Sequence, residues 1–155
     1  MPPYLKPTYE AYLDDVRTDG LVLCYVPASM RTEEICLAAV TALGSALSFV
    51  PDKLRTHEVC LVAVSKCGRA LRAVPFETQT EEICLAAVKQ DEEALKYVIY
   101  PSPEICLAAV RKGGGALRWV EEALRTPEVC LAAITKTPEA IQFSPYSALE
   151  LLALI

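Results

Sequence analysis

The sequence predicts an all-α fold, a right-handed solenoid of about six short two-helix repeats of 24 residues. Three observations support this prediction. The phrase Glu-Ile-Cys-Leu-Ala-Ala-Val returns with small changes, a threonine or serine stands two residues before each copy, and a glycine follows several copies at one distance. A fixed period of this kind indicates a stacked array of small units. The five copies occupy residues 34–40, 58–64, 82–88, 104–110 and 128–134.

We expect a single repeat domain over residues 1–155. Residues 1–31 form a divergent N-terminal cap, in which residues 8–31 align as unit 1, and residues 146–155 form a C-terminal half-repeat cap. Divergent ends are expected because a terminal repeat faces water on one side. Units 2 to 6 are the full repeats, residues 32–55, 56–79, 80–101, 102–125 and 126–145.

Each unit is expected to contain two short helices. The threonine or serine that opens a unit is a preferred N-cap, and the glutamate two residues later suits the positive end of the helix dipole. Gly20, Gly44, Gly68 and Gly114 share one position, where we expect a left-handed residue that ends the first helix. The second helix is short enough to be partly of the tighter 3₁₀ type.

Five of the seven cysteines share one repeat position. Equivalent positions on stacked helices lie about 8–10 Å apart, whereas a disulfide needs Cα atoms roughly 4.4–6.8 Å apart. We therefore predict small buried hydrophobic side chains that neither pair nor bind metal. So many free thiols favour a reducing compartment, the cytoplasm of the producing bacterium or of a host cell. The five are Cys36, Cys60, Cys84, Cys106 and Cys130.

Composition narrows the function classes. Hydrophobic residues make up 53% of the chain, but no uninterrupted apolar run approaches the roughly 20 residues of a membrane helix. A net charge of −5 disfavours nucleic acid as a partner. The single histidine, His57, follows a helix cap, and a base for nucleophilic catalysis would rest on it alone. We predict no enzyme activity, no catalytic residue, no cofactor and no metal.

One face of the second helices combines basic and aromatic residues. Tyr97 and Trp119 share a repeat position, and Arg72, Lys96 and Arg118 share the position one residue earlier. Aromatic and arginine side chains dominate protein-binding hot spots, so we predict that these five residues, the basic–aromatic column, bind a protein partner. The alternative is that the rings pack against the next unit. Tyr25, Phe49 and Phe143 continue the aromatic position, and Ala73 interrupts it.

An arginine ends three of the units, three residues before a glutamate in the next helix. We expect ion pairs along this edge that fix register more than stability, because exposed pairs contribute only about 0–1 kcal/mol each. The expected pairs are Arg31–Glu34, Arg55–Glu58 and Arg125–Glu128.

Unit 4 is two residues shorter than the usual unit. Pro101 and Pro103 force an extended link there. We predict a change of superhelical path at this link, with Tyr100 partly exposed.

The C-terminal segment is almost uncharged. Tyr146, Leu149, Leu152 and Ile155 lie in a stretch whose one charged side chain is Glu150. Exposed apolar patches of several hundred Å² often mark association. We therefore predict a homodimer contact or a capping surface formed by Tyr146, Leu149, Leu152 and Ile155. The alternative is a monomer whose leucines pack inward onto unit 6.

The repeated residues also carry a family resemblance. The pattern Glu-[Ile/Val]-Cys-Leu-Ala-Ala-Val, then Gly-x-Ala-Leu-x-aromatic-Val-Pro, then Leu-Arg-Thr-Pro-Glu, resembles domain-of-unknown-function family 4116 over residues 32–145, and more weakly over residues 8–31. Units of that family occur in tandem in bacterial, phage and large-virus proteins. The resemblance implies an α-helical array and implies no activity.

These observations favour a non-enzymatic α-helical repeat scaffold that mediates protein–protein interaction. The family resemblance implies a microbial or phage protein that binds and blocks a host or defence protein. Two alternatives stay open. One is a ligand-binding or catalytic domain whose site the sequence does not reveal, and the other is a solenoid that binds nucleic acid through its basic residues.

Overall fold

The computed structural model describes residues 8–153, and every regular element within them is helical. Each of the six units has an α-helix of ten residues followed by a 3₁₀ helix of six. The all-helical class and the short 3₁₀ second helix are therefore confirmed. The α-helices are α1 Tyr9–Thr18, α2 Glu33–Ala42, α3 His57–Lys66, α4 Glu81–Gln90, α5 Pro103–Lys112, α6 Pro127–Lys136 and the shorter α7 Ala148–Leu152. The second helices are Gly20–Tyr25, Gly44–Phe49, Gly68–Ala73, Glu92–Tyr97, Gly114–Trp119 and Pro138–Phe143.

The hydroxyl residue that opens each unit caps its α-helix, as predicted. The backbone N–H of Ile35 donates to Thr32 Oγ1 at 3.4 Å, and that of Ile105 donates to Ser102 Oγ at 3.2 Å. This bond satisfies one of the N–H groups that the first turn of a helix leaves without a partner. The same cap is made by Thr8, Thr56, Thr80 and Thr126.

The four repeated glycines do not act as left-handed residues, so that expectation is wrong. No residue from 8 to 153 has a positive φ. The α-helix ends instead at an extended residue, such as Leu43 with φ −147°. Gly44 is required because a Cβ there would overlap the carbonyl oxygen of Ala63 in α3. Gly20, Gly68 and Gly114 meet Ala39, Ala87 and Ala133 in the same way.

The core is one continuous row of apolar side chains from both helices of each unit. The main contacts between helices join elements of the same unit or of neighbouring units. All five cysteines of the repeat position are buried and free, which confirms their predicted packing role. Burial raises the pKa of Cys60 and of Cys106 from 9.0 to about 11, so these thiols stay protonated at neutral pH.

The arginines that end units bind backbone carbonyls, and the expected arginine–glutamate ladder is not formed among residues 8–153. Arg55 Nε donates to the Val50 carbonyl and its Nη1 to the Ala73 carbonyl of the next unit, each at 3.0 Å. Carbonyls at the end of a helix lack partners within it, and a guanidinium satisfies two at once. Arg31, Gln79 and Arg125 likewise donate to Phe49, Tyr97 and Phe143 of the next unit.

Unit 4 lacks the third, three-residue 3₁₀ helix that the other units before unit 6 possess. Its link bends at Ile99 and Tyr100, and Tyr100 is 76% exposed with its ring centre 5.9 Å from that of Phe76. The exposure of Tyr100 is as expected, while the change of path at this link stays a prediction. The three-residue helices are Ala28–Met30, Asp52–Leu54, Phe76–Thr78 and Glu122–Leu124.

Candidate functional site

The second helices of units 4 to 6 bring cations and rings into one connected strip. Lys96 Nζ lies 5.0 Å from the ring centre of Tyr97 and 5.7 Å from that of Trp119. Arg118 Cζ lies 5.8 Å from the ring centre of Trp119 and 5.9 Å from that of Phe143. These distances are within the range of cation–π attraction. Each cation therefore joins the ring of its own unit to the ring of the next.

The repeat sequence places this strip on the surface. In the second helix of unit 4, Ala94 and Leu95 are buried, and the residues that follow them, Lys96 and Tyr97, turn toward the outside. A 3₁₀ helix has about three residues per turn, so two consecutive buried positions leave the next two on the opposite side. The Ala-Leu pairs of units 2, 3 and 5 are buried in the same way, whereas in unit 6 Ala140 is buried and Ile141 is half-buried.

The rings are neither fully exposed nor fully packed. Trp119 is 42% exposed, because Lys96 of the preceding unit covers part of its ring, and Tyr97 is half-buried beside Lys96 of its own unit. The expected alternative, rings packed on the next unit, thus describes part of their surface only. Arg72 and Arg118 are exposed, and the structure places Arg72 one unit before Lys96.

Carboxylates neutralise some of these cations and leave others free. Glu93 Oε2 lies 3.3 Å from Lys96 Nζ and 3.0 Å from Arg69 Nη2. The hydrogen bond to Asp91 raises the pKa of Arg69 above its ordinary value. In contrast, no carboxylate among residues 8–153 lies within 4.0 Å of the Arg72 or Arg118 guanidinium. These two charges are therefore available to an acidic group.

His57 lies away from this strip, at the N-terminal end of α3. Its Nε2 is 3.4 Å from Thr80 Oγ1 and 3.4 Å from Glu82 Oε2. In a catalytic triad the hydroxyl and the carboxylate contact different nitrogens of the imidazole, whereas here both contact the same one. Thr80 Oγ1 also accepts the N–H of Ile83 as a helix cap. The arrangement is a junction between two helix starts.

Clusters of metal-binding side chains and helices able to span a membrane are two features that bear on the class of site. Among the described residues, no three His, Cys, Asp or Glu side chains are placed to share a metal ion. Within residues 8–153, no helix has both the length and the apolar character that crossing a bilayer requires.

Three of the four C-terminal residues predicted to associate lie among the described residues. Leu149 is 79% exposed and Leu152 is 65% exposed, while Tyr146 is half-buried. Ile155 lies outside the described residues. An apolar groove of about 310 Å³ separates α7 from unit 6 and is lined by residues that include Ile134, Ile141, Leu151 and Leu152.

A groove on the second helices was not predicted. It has a volume of about 440 Å³ and is lined by residues that include Ser48, Phe49, Arg72 and Tyr97. The signal was present in the sequence, because Ala73 interrupts the aromatic position between Phe49 and Tyr97. What the sequence could not supply was the place where the missing ring would lie.

The match to a known family coincides with two of the repeat units. The model of the family described as Domain of unknown function (DUF4116) matches residues 32–79, which are units 2 and 3. Units 2 and 3 are therefore assigned to the DUF4116 family. The resemblance of units 4 to 6 to DUF4116 stays a prediction. Searches of the curated proteins and of the solved structures each found no significant match.

Proposed function

We propose that this protein is a non-enzymatic repeat scaffold that binds another protein through its basic–aromatic column. The observation that supports this proposal is the connected strip of cations and rings on the second helices, in which Lys96 and Arg118 lie between three aromatic rings. Interface hot spots are enriched in tryptophan, tyrosine and arginine. Here those residue types occupy one exposed face.

The fold supports the same proposal. We propose that the units stack as a right-handed solenoid, since the main helix contacts run between neighbouring units. Arrays of this kind present extended surfaces on which equivalent positions recur at each unit. A partner that follows the second helices would then meet a cation in each of units 3 to 5, with a ring beside it in units 4 and 5.

The charges favour an acidic partner. Arg72 and Arg118 lack a carboxylate among the described residues, so a partner carboxylate would replace water at groups that no internal acid occupies. Complementary charge raises association rates and specificity more than raw affinity. The cytoplasm, and a host or defence protein that the scaffold blocks, remain our expectations for the setting and the partner.

Charge reversal of the column tests the proposal. Immobilised full-length chain is used to capture proteins from extracts of the source organism and of its host, and the captured proteins are compared with those held by R72E/K96E/R118E. We expect the specific partner to be lost while helical circular dichroism is unchanged. A second variant, R72Q/K96Q/R118Q, removes the charges without adding repulsion between Glu93 and position 96.

A matched control changes the same charge elsewhere. K53E/K89E/K136E alters three exposed lysines outside the column and should keep the partner. Retention of every specific partner by R72E/K96E/R118E would overturn the proposal. Equal loss in both triple variants would also count against it, because net charge alone would then explain capture.

Nucleic acid is the second candidate, since cations interleaved with rings also bind single strands by stacking and phosphate contact. The net charge of −5 opposes it. Fluorescence anisotropy with a labelled single-stranded oligonucleotide at about 0.1 M salt distinguishes the two. Binding that Arg72→Glu and Arg118→Glu weaken would favour nucleic acid over protein.

A further inference from the structure

We infer that the groove lined by Phe49, Arg72 and Tyr97 receives an aromatic side chain of the partner protein and that Arg72 binds a carboxylate next to that side chain. This inference rests on the proposed function, because it assigns partner chemistry to one part of the same surface. Three observations carry it: the placement of the rings in neighbouring units, the groove where one ring is missing, and the unused charge of Arg72.

The rings of units 5 and 6 are placed alike, whereas Tyr97 of unit 4 makes no such contact with Arg72 among the described residues. Trp119 lies beside Lys96 of the preceding unit, and Phe143 lies beside Arg118 of the preceding unit. In both cases the neighbour is the residue one place before the aromatic position. By the placement seen in units 5 and 6, a ring at position 73 would lie beside Ser48 of unit 2.

The groove reaches the residue beside which the missing ring would lie. Ser48 lines it, together with Phe49, Arg72 and Tyr97, and its volume is about 440 Å³. This volume is within the roughly 300–1,000 Å³ of small-ligand pockets, so an aromatic side chain with its flanking backbone fits. The ring of Phe49 lies before the gap and that of Tyr97 after it, and both can contact an inserted ring.

Arg72 differs from the other cations of the column. Lys96 and Arg118 each lie over two rings. The described residues place neither an aromatic ring nor a carboxylate within such reach of Arg72, which is exposed on the groove wall. A guanidinium both stacks on rings and binds a carboxylate with two parallel hydrogen bonds. An aromatic residue flanked by acidic residues supplies both partners at once.

The nearby charges favour a peptide over a nucleobase. Arg69, the other cation lining the groove, is held by Asp91 at 2.8 Å and by Glu93 at 3.0 Å. A phosphate chain would meet these two carboxylates together with the arginines. A single carboxylate directed at Arg72 avoids them.

The test uses full-length chain labelled with nitrogen-15 and the peptide Ac-Asp-Trp-Asp-NH2 as probe. We expect chemical-shift changes at residues around the groove and an affinity on the order of 1 mM. Ala73→Phe introduces next to Arg72 the residue type that equivalent units carry, so the fold should be kept, and we expect the new ring to occupy the groove. This substitution should weaken binding at least about tenfold, and Arg72→Gln should weaken it about fivefold.

Peptide and protein controls sharpen the result. Ac-Asp-Ala-Asp-NH2 lacks the ring and Ac-Asn-Trp-Asn-NH2 lacks the carboxylates, so both should bind more weakly than the probe. Arg111→Gln changes an exposed arginine on α5 and should leave the affinity unchanged. Unaltered probe binding by Ala73→Phe, or tighter binding of a thymidine oligonucleotide than of the peptide, would overturn the inference.

Failure of the inference is distinguishable from failure of the proposed function. If Ala73→Phe keeps the captured partner while R72E/K96E/R118E loses it, the column binds a partner and the groove takes no part. If the triple variant keeps the partner as well, the proposed function itself is wrong.

Discussion

The carboxylate of Glu92 lies in the space that a Cβ atom on Gly113 would fill. At the other junctions the glycine stands on the earlier unit, as when Gly44 meets the backbone of Ala63. Unit 4 carries Glu92 where those units carry glycine, and the next unit carries Gly113 at the facing position. The close contact is thus kept, with the small residue on the opposite side of it.

This exchange predicts unequal costs for two glycine substitutions. Gly44→Ala should lower the free energy of unfolding by about 1–3 kcal/mol, because its Cβ meets a backbone carbonyl that cannot rotate away. Gly113→Ala should cost under about 1 kcal/mol, since the end of a flexible side chain can move. Urea unfolding followed by circular dichroism measures both. Glu92→Ala should reduce the cost of Gly113→Ala, and a double-mutant cycle without coupling would contradict this explanation.

The arginine bonds between units predict a loss of stability on Arg55→Lys. The ammonium cannot reach the Val50 and Ala73 carbonyls in the fixed geometry that the guanidinium uses. We expect a decrease of about 1–3 kcal/mol in unfolding free energy, measured by urea unfolding. Asp52→Asn is the control, because Asp52 pairs with Arg55 but is 87% exposed, and it should cost under about 1 kcal/mol. Equal costs for the two variants would assign the effect to the ion pair.

Thiol accessibility follows the two classes of cysteine. Cys24 and Cys67 are half-buried, whereas Cys36, Cys84 and the others of the repeat position are buried. Native protein treated with an aromatic disulfide reagent should release about two equivalents quickly and five only after denaturation. Mass spectrometry of the modified peptides identifies the sites. Rapid modification of Cys36 or Cys84 in folded protein would contradict their packing role.

Alkaline pH should destabilise the fold through two of the buried cysteines, Cys60 and Cys106. The folded pKa of Cys60 and of Cys106 is raised to about 11, above the unfolded value near 9, so the unfolded state loses these protons first. Their stabilising contribution is complete below pH about 9 and is lost between about 9 and 11, at roughly 3 kcal/mol per thiol. Unfolding of wild type and of C60A/C106A at pH 8 and 11 measures it. The stability difference between the two proteins should shrink at high pH, and a constant difference would refute the thiol assignment.

The exposed C-terminal leucines predict self-association. Leu149 and Leu152 are more than half exposed next to an apolar groove on unit 6. Light scattering of the full chain at micromolar concentration should give a dimer mass, and Leu152→Glu should return it to the monomer mass. Glu150→Gln, which changes a charged neighbour outside that groove, is the control. A monomer mass for the wild-type chain would end the dimer hypothesis.

The sequence was sufficient for whatever depends on local pattern. Thr32 and its equivalents cap helices, and Cys36 and its equivalents are buried, because both follow from periodicity and capping chemistry within one unit. It was insufficient where two units meet. Arg55 was assigned to a glutamate three residues away, but its partners are carbonyls that only the stacked second helices bring near. Gly44 was assigned a local turn for the same reason, since the Ala63 carbonyl that excludes a side chain belongs to the following unit.

The carbonyl of Trp119 accepts no side-chain hydrogen bond among the described residues, although the equivalent carbonyls of Phe49, Ala73, Tyr97 and Phe143 each accept one from an arginine or glutamine of the preceding unit. The donor stands 18 residues before the acceptor in each of these bonds, and the corresponding position for Trp119 is Pro101, whose side chain has no N–H to donate. In the linear array proposed above, cooperativity passes only through junctions between neighbours, so we expect the melting of residues 8–101 and of residues 102–153 to be least tightly coupled at this junction. A repeat protein that must flex while it holds a partner would bend there, with each of the two segments kept intact.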